Sequence, residues 1–194
     1  ELSIGRETGS GNFTSTAADG SLTLGSLSTI TLGSATDLAT LNIGWSQNGN
    51  GYGSGNASGV LDATQGSFTA MLDTLRIGQT ANVGSASGQF IMGAGSAVNA
   101  KAVNVGMGAG GNGTLTVLGD VLTFTGVDTS LNFGTGALEV PGGAFTVGSN
   151  AEAISALRIG YNNFTTGTAT TAIDFSAANP TFTGTTNRAA NAIK

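Results

Sequence analysis

The chain has eleven carboxylates, no histidine and no cysteine. Any acid–base chemistry therefore falls to Asp and Glu alone, because the commonest general base and the thiolate nucleophile are both missing. The acids are Glu1, Glu7, Asp19, Asp37, Asp62, Asp73, Asp120, Asp128, Glu139, Glu152 and Asp174. A polysaccharide-cleaving site of the retaining type needs two carboxyl groups about 5–5.5 Å apart. A calcium site needs several carboxylates and carbonyls converging on one point. Whether any two of these acids meet depends on the elements that carry them.

Those elements follow from a repeat. The pattern apolar-x-apolar-Gly occurs as Leu2–Gly5, Leu41–Gly44, Leu75–Gly78, Val103–Gly106, Leu131–Gly134 and Leu157–Gly160, at intervals of 39, 34, 28, 28 and 26 residues. The tetrapeptide LRIG stands twice, at residues 75 and 157. Each unit holds a second alternating triplet, beginning at Leu22, Leu61, Phe90, Leu115, Leu138 and Ile173. A third begins at Ile30, Phe68, Val98, Leu122, Phe145 and Phe182. Alternation with period two places the outer residues of a triplet on one face and the middle residue on the other. A strand with two inward side chains is too short to stand alone, but stacked on its counterparts it builds a continuous core. The expectation is an all-β chain, a parallel β-helix (β-solenoid) of about six three-strand coils over residues 1–186, triangular in section. Residues 187–194 form a polar tail or the start of a further coil.

Gly5, Gly44, Gly78, Gly106, Gly134 and Gly160 are the expected corner residues, since a sharp turn with positive φ favours glycine. Length variation concentrates in the loops between the first and second triplets. Those loops carry Trp45, Tyr52, Tyr161 and Phe164, the candidate contact residues for a glycan, a matrix or a neighbouring subunit.

The middle residues form three outward columns. The first is Ser3, Asn42, Arg76, Asn104, Asn132 and Arg158. The second is Thr23, Asp62, Ile91, Thr116, Glu139 and Asp174. The third is Thr31, Thr69, Asn99, Thr123, Thr146 and Thr183. Stacked Asn and Thr can hydrogen-bond from coil to coil. The Thr-rich third column also admits an ice- or crystal-binding face as an alternative. In the second column Glu139 and Asp174 fall on adjacent coils, with Cβ atoms expected about 5 Å apart. That is the one pair suited to the polysaccharide-active alternative, and mutual repulsion would raise one of its pKa values. No Arg or Lys shares the column, so the chain is read as non-enzymatic, with no cofactor.

Asp37, Asp73 and Asp128 precede first triplets and read as corner residues whose side chains hydrogen-bond to nearby backbone. No metal site is expected. Gly108–Gly113 reads as a turn, because a phosphate loop would continue into Lys and a helix. Four matches to the glycosylation pattern, at Asn12, Asn56, Asn112 and Asn163, sit in the variable loops.

Net charge is −5 and only 9% of residues are charged, which excludes the clustered basic surface of a nucleic-acid binder. No apolar run approaches the ~20 residues of a membrane span. The chain enters a strand motif at once and reads as a processed product or a segment of something longer.

The stretch Gly111–Gly119 (GNGTLTVLG) and units such as Leu131–Gly134 resemble the repeats in passenger domains of bacterial autotransporters and related giant surface proteins. That resemblance implies an extracellular parallel β-helix with structural or adhesive work at the cell surface. Exposed coil ends with unpaired backbone then imply self-association head to tail, or adjacent domains of a longer chain.

Overall fold

In the computed structural model the described residues are 1–8, 17–47, 55–81, 84–93, 95–108, 110–117, 121–124, 130–139, 144–147, 156–160, 170–174 and 181–182. Among them there are strands and no helix. In chain order the strands are β1 (Leu2–Glu7), β2 (Ala17–Thr23), β3 (Thr29–Leu32), β4 (Ala39–Ser46), β5 (Gly55–Asp62), β6 (Ser67–Thr80), β7 (Gly84–Met92) and β8 (Ala97–Val105). They continue as β9 (Gly111–Val117), β10 (Val121–Phe124), β11 (Ser130–Phe133), β12 (Gly136–Glu139), β13 (Ala144–Val147), β14 (Ala156–Ile159), β15 (Thr171–Asp174) and β16 (Thr181–Phe182).

They form two sheets, and every recorded strand pair is parallel. The first sheet has 10 strands and follows β1-β4-β6-β8-β10-β13-β16, with β3, β11 and β14 beside that path. The second has 6 and runs β15-β12-β9-β7-β5-β2. The sheets pack face to face, with β5 against β1 and β4, and β7 against β4 and β6. Parallel sheets need cover, and here each inner face is covered by the other.

The triplets expected from the sequence supply that interior. In the first sheet Leu2, Leu41, Leu75, Val103, Leu131 and Leu157 are register partners, as are Ile4, Ile43, Ile77, Val105, Phe133 and Ile159. In the second, Leu22, Leu61, Phe90, Leu115, Leu138 and Ile173 line up. Away from the ends these side chains are essentially inaccessible to water. Each contributes about 1.5–3 kcal/mol by burial.

Two expectations need correction. A triangular section requires a third corner, between the third triplet and the next first triplet. In β6 that corner is a bulge: Ala39 pairs with Leu72 and Thr40 with Thr74, so Asp73 is the extra residue. Asp73 and Lys101 are likewise passed over in the pairing of β6 with β8. A one-residue bulge bends a strand without ending it, so in β6 and β8 the third triplet and the next first triplet merge into one long strand, while in the other units they lie on separate strands of the same sheet. Asp73 is therefore a strand residue, whereas Asp37 does lie in a turn closed by Ser34 N donating to Asp37 O at 2.8 Å.

The glycines are the second correction. Gly5, Gly44, Gly78, Gly106 and Gly160 have φ of 61–66°, but Gly134 is not among the positive-φ glycines. Gly5 and Gly44 lie inside strands, and pairing resumes beyond them at Arg6, Trp45 and Gln79. A second glycine column, Gly20, Gly59, Gly88, Gly113 and Gly136, runs in register through the other sheet. The two columns face each other. A Cβ on Gly44 would overlap the Ser87 carbonyl, and one on Gly59 would overlap Gly44 N and Ile4 O. The sheets thus meet backbone to backbone along these columns.

Candidate functional site

The first outward column is fully in register: Ser3, Asn42, Arg76, Asn104, Asn132 and Arg158 are successive Cα partners. Its side chains bond from strand to strand. Ser3 Oγ donates to Glu1 Oε1 at 2.7 Å, and Asn42 Nδ2 donates to both Ser3 Oγ and Glu1 Oε1 at 3.0 Å. Arg76 Nη1 donates to Asn42 Oδ1 at 3.0 Å. Farther along, Asn132 Nδ2 donates to Asn104 Oδ1 at 2.9 Å, and Arg158 Nη1 to Asn132 Oδ1 at 2.8 Å. Both LRIG arginines therefore do one job: each donates back to an Asn one strand earlier.

Asn42 has no exposed surface although it points away from the core. Burial pulls the Arg76 guanidinium below its ordinary range. The Glu1 charge opposes that shift, and the nearby Arg6 charge adds to it. Hydrogen bonds from Ser3, with Arg6 nearby, hold the Glu1 carboxyl below its ordinary value against some desolvation. A half-buried guanidinium loses an acceptor if Asn42 is shortened. Asn42→Ala is expected to cost about 1–3 kcal/mol, read by denaturant unfolding, and Asn42→Asp is expected not to recover it, because the new carboxylate keeps the acceptor for Arg76 but replaces the donor to Glu1 Oε1 with a like charge. An unchanged midpoint for Asn42→Ala would remove the ladder from the account of stability.

Beyond the positive-φ glycines lies a further column, Arg6, Trp45 and Gln79. Trp45 is a half-buried residue of β4, not a loop residue, because pairing continues past Gly44. Guanidinium groups from both flanking strands lie over its ring, Arg6 at 4.6 Å and Arg76 at 4.7 Å from the centroid. Each such contact is worth about 0.5–2 kcal/mol, depending on desolvation. The indole is thus engaged within the chain and is a poor platform for a sugar. Arg6 also pairs with Glu1 and donates to Gln47 Oε1 at 2.9 Å. Trp45 Nε1, Arg6 Nε and Gln79 Oε1 are buried with no hydrogen bond among the described residues.

The next inward column, Glu7, Ser46 and Thr80, escaped the sequence reading. All three are buried, and Ser46 Oγ donates to Glu7 Oε2 and to Gly55 O, each at 3.3 Å. Its signal is a polar residue two places after Gly5, Gly44 and Gly78, which period-two reasoning from the triplet alone does not reach.

The carboxylate pair is placed as expected along the chain: Glu139 and Asp174 are Cα partners on β12 and β15, and Thr116 lies on the other side of Glu139. Asp174 is exposed at the sheet edge. Asp62 accepts from Thr64 N at 2.9 Å, and that bond lowers its pKa. Among the described residues no three His, Cys, Asp or Glu side chains gather as a metal site would require.

The threonine column is offset. Thr31 pairs with Thr69, but Thr69 pairs with Ala97, while Asn99 lies between Met71 and Thr123. Thr146 pairs with Thr181 rather than with Thr183. Both slips are of two residues, so the faces are kept and the column is split. Tyr52, Tyr161, Phe164, Asp128 and residues 187–194 lie outside the described residues.

The chain matches no protein-family model, no curated protein and no solved structure.

Proposed function

We propose that the chain is a β-solenoid that serves as a structural or adhesive unit outside the cell, stacking end to end into a cell-surface fibre or layer. The winding is supported by the order in which the chain visits the sheets: first, second, then first again, unit after unit. The observation that carries the functional reading is the state of the ends. β1 and β2 close one side of the two sheets and β15 the other. The core columns that are sealed in the middle are half-open there: Leu2, Leu22, Ile30 and Leu32 at one end, Ile173 and Ile159 at the other, Ile159 being 44% exposed. Strand edges with no partner among the described residues, over a half-open apolar core, are a template for addition of further strands. The low charge and abundant Ser, Thr, Asn and Gly suit a surface that works by repetition.

Electron microscopy of the concentrated chain is the test. Fibres or ordered layers are the expected result. A solution that stays monodisperse at all concentrations contradicts it.

A further inference from the structure

The two glycine columns define a joint. Inside the chain, each second-sheet glycine lies against the carbonyl that precedes a positive-φ glycine one unit earlier. A Cβ on Gly59 would meet Ile4 O, one on Gly88 would meet Ile43 O, and one on Gly113 would meet Ile77 O. Gly20 belongs to the same column, but its nearest neighbours are Gly5 N, Gly5 Cα and Ile4 C of its own unit. Among the described residues no carbonyl oxygen takes the place against Gly20 that Ile4 O takes against Gly59.

The reciprocal half of the pattern runs the other way. Cβ atoms on Gly5, Gly44, Gly78 and Gly106 would overlap the carbonyl oxygens of Ser58, Ser87, Asn112 and Thr135 in the following unit. These four residues immediately precede Gly59, Gly88, Gly113 and Gly136. Gly160 shares the φ of that column, at 66°, and is exposed at the far end.

We infer that a second copy of this chain occupies the end, head to tail and in register, with Ile159 O of one copy against Gly20 of the next and Asp19 O of the next against Gly160 of the first. This rests on the end-to-end reading and names its interface. Three observations select a second copy. The core columns at the two ends have matching chemistry, Ile159 meeting Ile4 and Ile173 meeting Leu22. At Gly59, Gly88 and Gly113, the counterparts of Gly20, the backbone of the preceding unit leaves no room for a Cβ, and only in the sixth unit does the column carry a side chain, Thr171; a glycine-bearing rung of the same geometry is what fits against Gly20. The first outward column continues as Arg158 followed by Ser3 and Glu1, cation toward carboxylate. The contact is heterologous, so it propagates without closing.

The chain has no cysteine, so introduced thiols report only on the joint. In the stacked arrangement Thr23 of one copy is the register partner of Asp174 of the other, and Ser3 is that of Arg158. Parallel neighbours about 4.8 Å apart fall within the ~4.4–6.8 Å Cα range of a disulfide. The double variants Thr23→Cys/Asp174→Cys and Ser3→Cys/Arg158→Cys test one sheet each, and all four side chains point away from the core. After mild oxidation of folded protein, each double variant is expected to run as a reducible ladder of dimers, trimers and higher species. The offset pair Thr23→Cys/Ala172→Cys is expected to give none. If both in-register pairs fail to ladder while the protein still forms fibres, this joint is wrong and the end-to-end reading stands. If fibres and ladders are both absent, both readings fall.

Discussion

Gly88→Ala is expected to lower stability by about 3 kcal/mol and the melting midpoint by roughly 6–12 °C. Local propensity gives the opposite sign. Gly88 lies within β7 and is not a positive-φ glycine, and replacing glycine in a strand reduces the entropy lost on folding by about 0.5–1 kcal/mol. The packing decides the matter. A Cβ there would overlap Gly78 N and Ile43 O and stand 2.9 Å from Ile77 C. All three are backbone atoms and cannot rotate aside. Relief requires the sheets to part, which opens the core around Phe90, Ile43 and Ile77, each 0% exposed. Gly25→Ala is the matched control, since its Cβ would find only Ser28 Oγ at 3.7 Å. That variant should stay within about 0.5 kcal/mol of the parent. Equal stability of the two variants would mean that the glycine columns do not hold the sheets at their separation.

Phe90→Ala is expected to cost about 3–5 kcal/mol. Phe90 on β7 and Phe68 on β6 come from different sheets and meet edge to face, with centroids 5.5 Å apart and planes at 78°. Both are fully buried. About 0.5–1.5 kcal/mol of the loss comes from the aromatic pair itself, and the rest from lost burial and the cavity left between the sheets. Phe90→Leu keeps most of the volume and should cost less than half as much. The quantity to follow is the urea midpoint at constant m-value. A loss under about 1 kcal/mol for Phe90→Ala would show that the sheets do not depend on this contact.

The words that recur in the chain made much of this arrangement legible. Four letters, apolar-x-apolar-Gly, state the face of a strand and the place where its backbone turns left-handed. That is why the register of Ser3, Asn42, Arg76, Asn104, Asn132 and Arg158 can be read by aligning the glycines. The third triplets lack such a marker. Period two is satisfied equally by registers that differ by two residues, so Ala70 opposite Val98 keeps the same faces as Phe68 opposite Val98 would. The bulges at Asp73 and Lys101 are equally silent, because no proline or glycine marks them. The second glycine column was visible as Gly-x-apolar before five of the second triplets. Its partner is a backbone across the core, however, and loops of differing length stand between the two columns. The glycine before Trp45 marks it in the sequence as a loop residue. Strand pairing on both sides of that glycine outweighs the break, and two guanidinium groups then hold the ring.

In the proposed assembly, copies of the chain stack through the same register that joins the rungs within it. The axial repeat of the assembled material, measured by helical reconstruction or fibre diffraction, tests it most directly. Six rungs at about 4.8 Å predict a subunit repeat of about 29 Å, with the 4.8 Å spacing unbroken across each joint. A repeat clearly longer than this, or particles one subunit long, would contradict it.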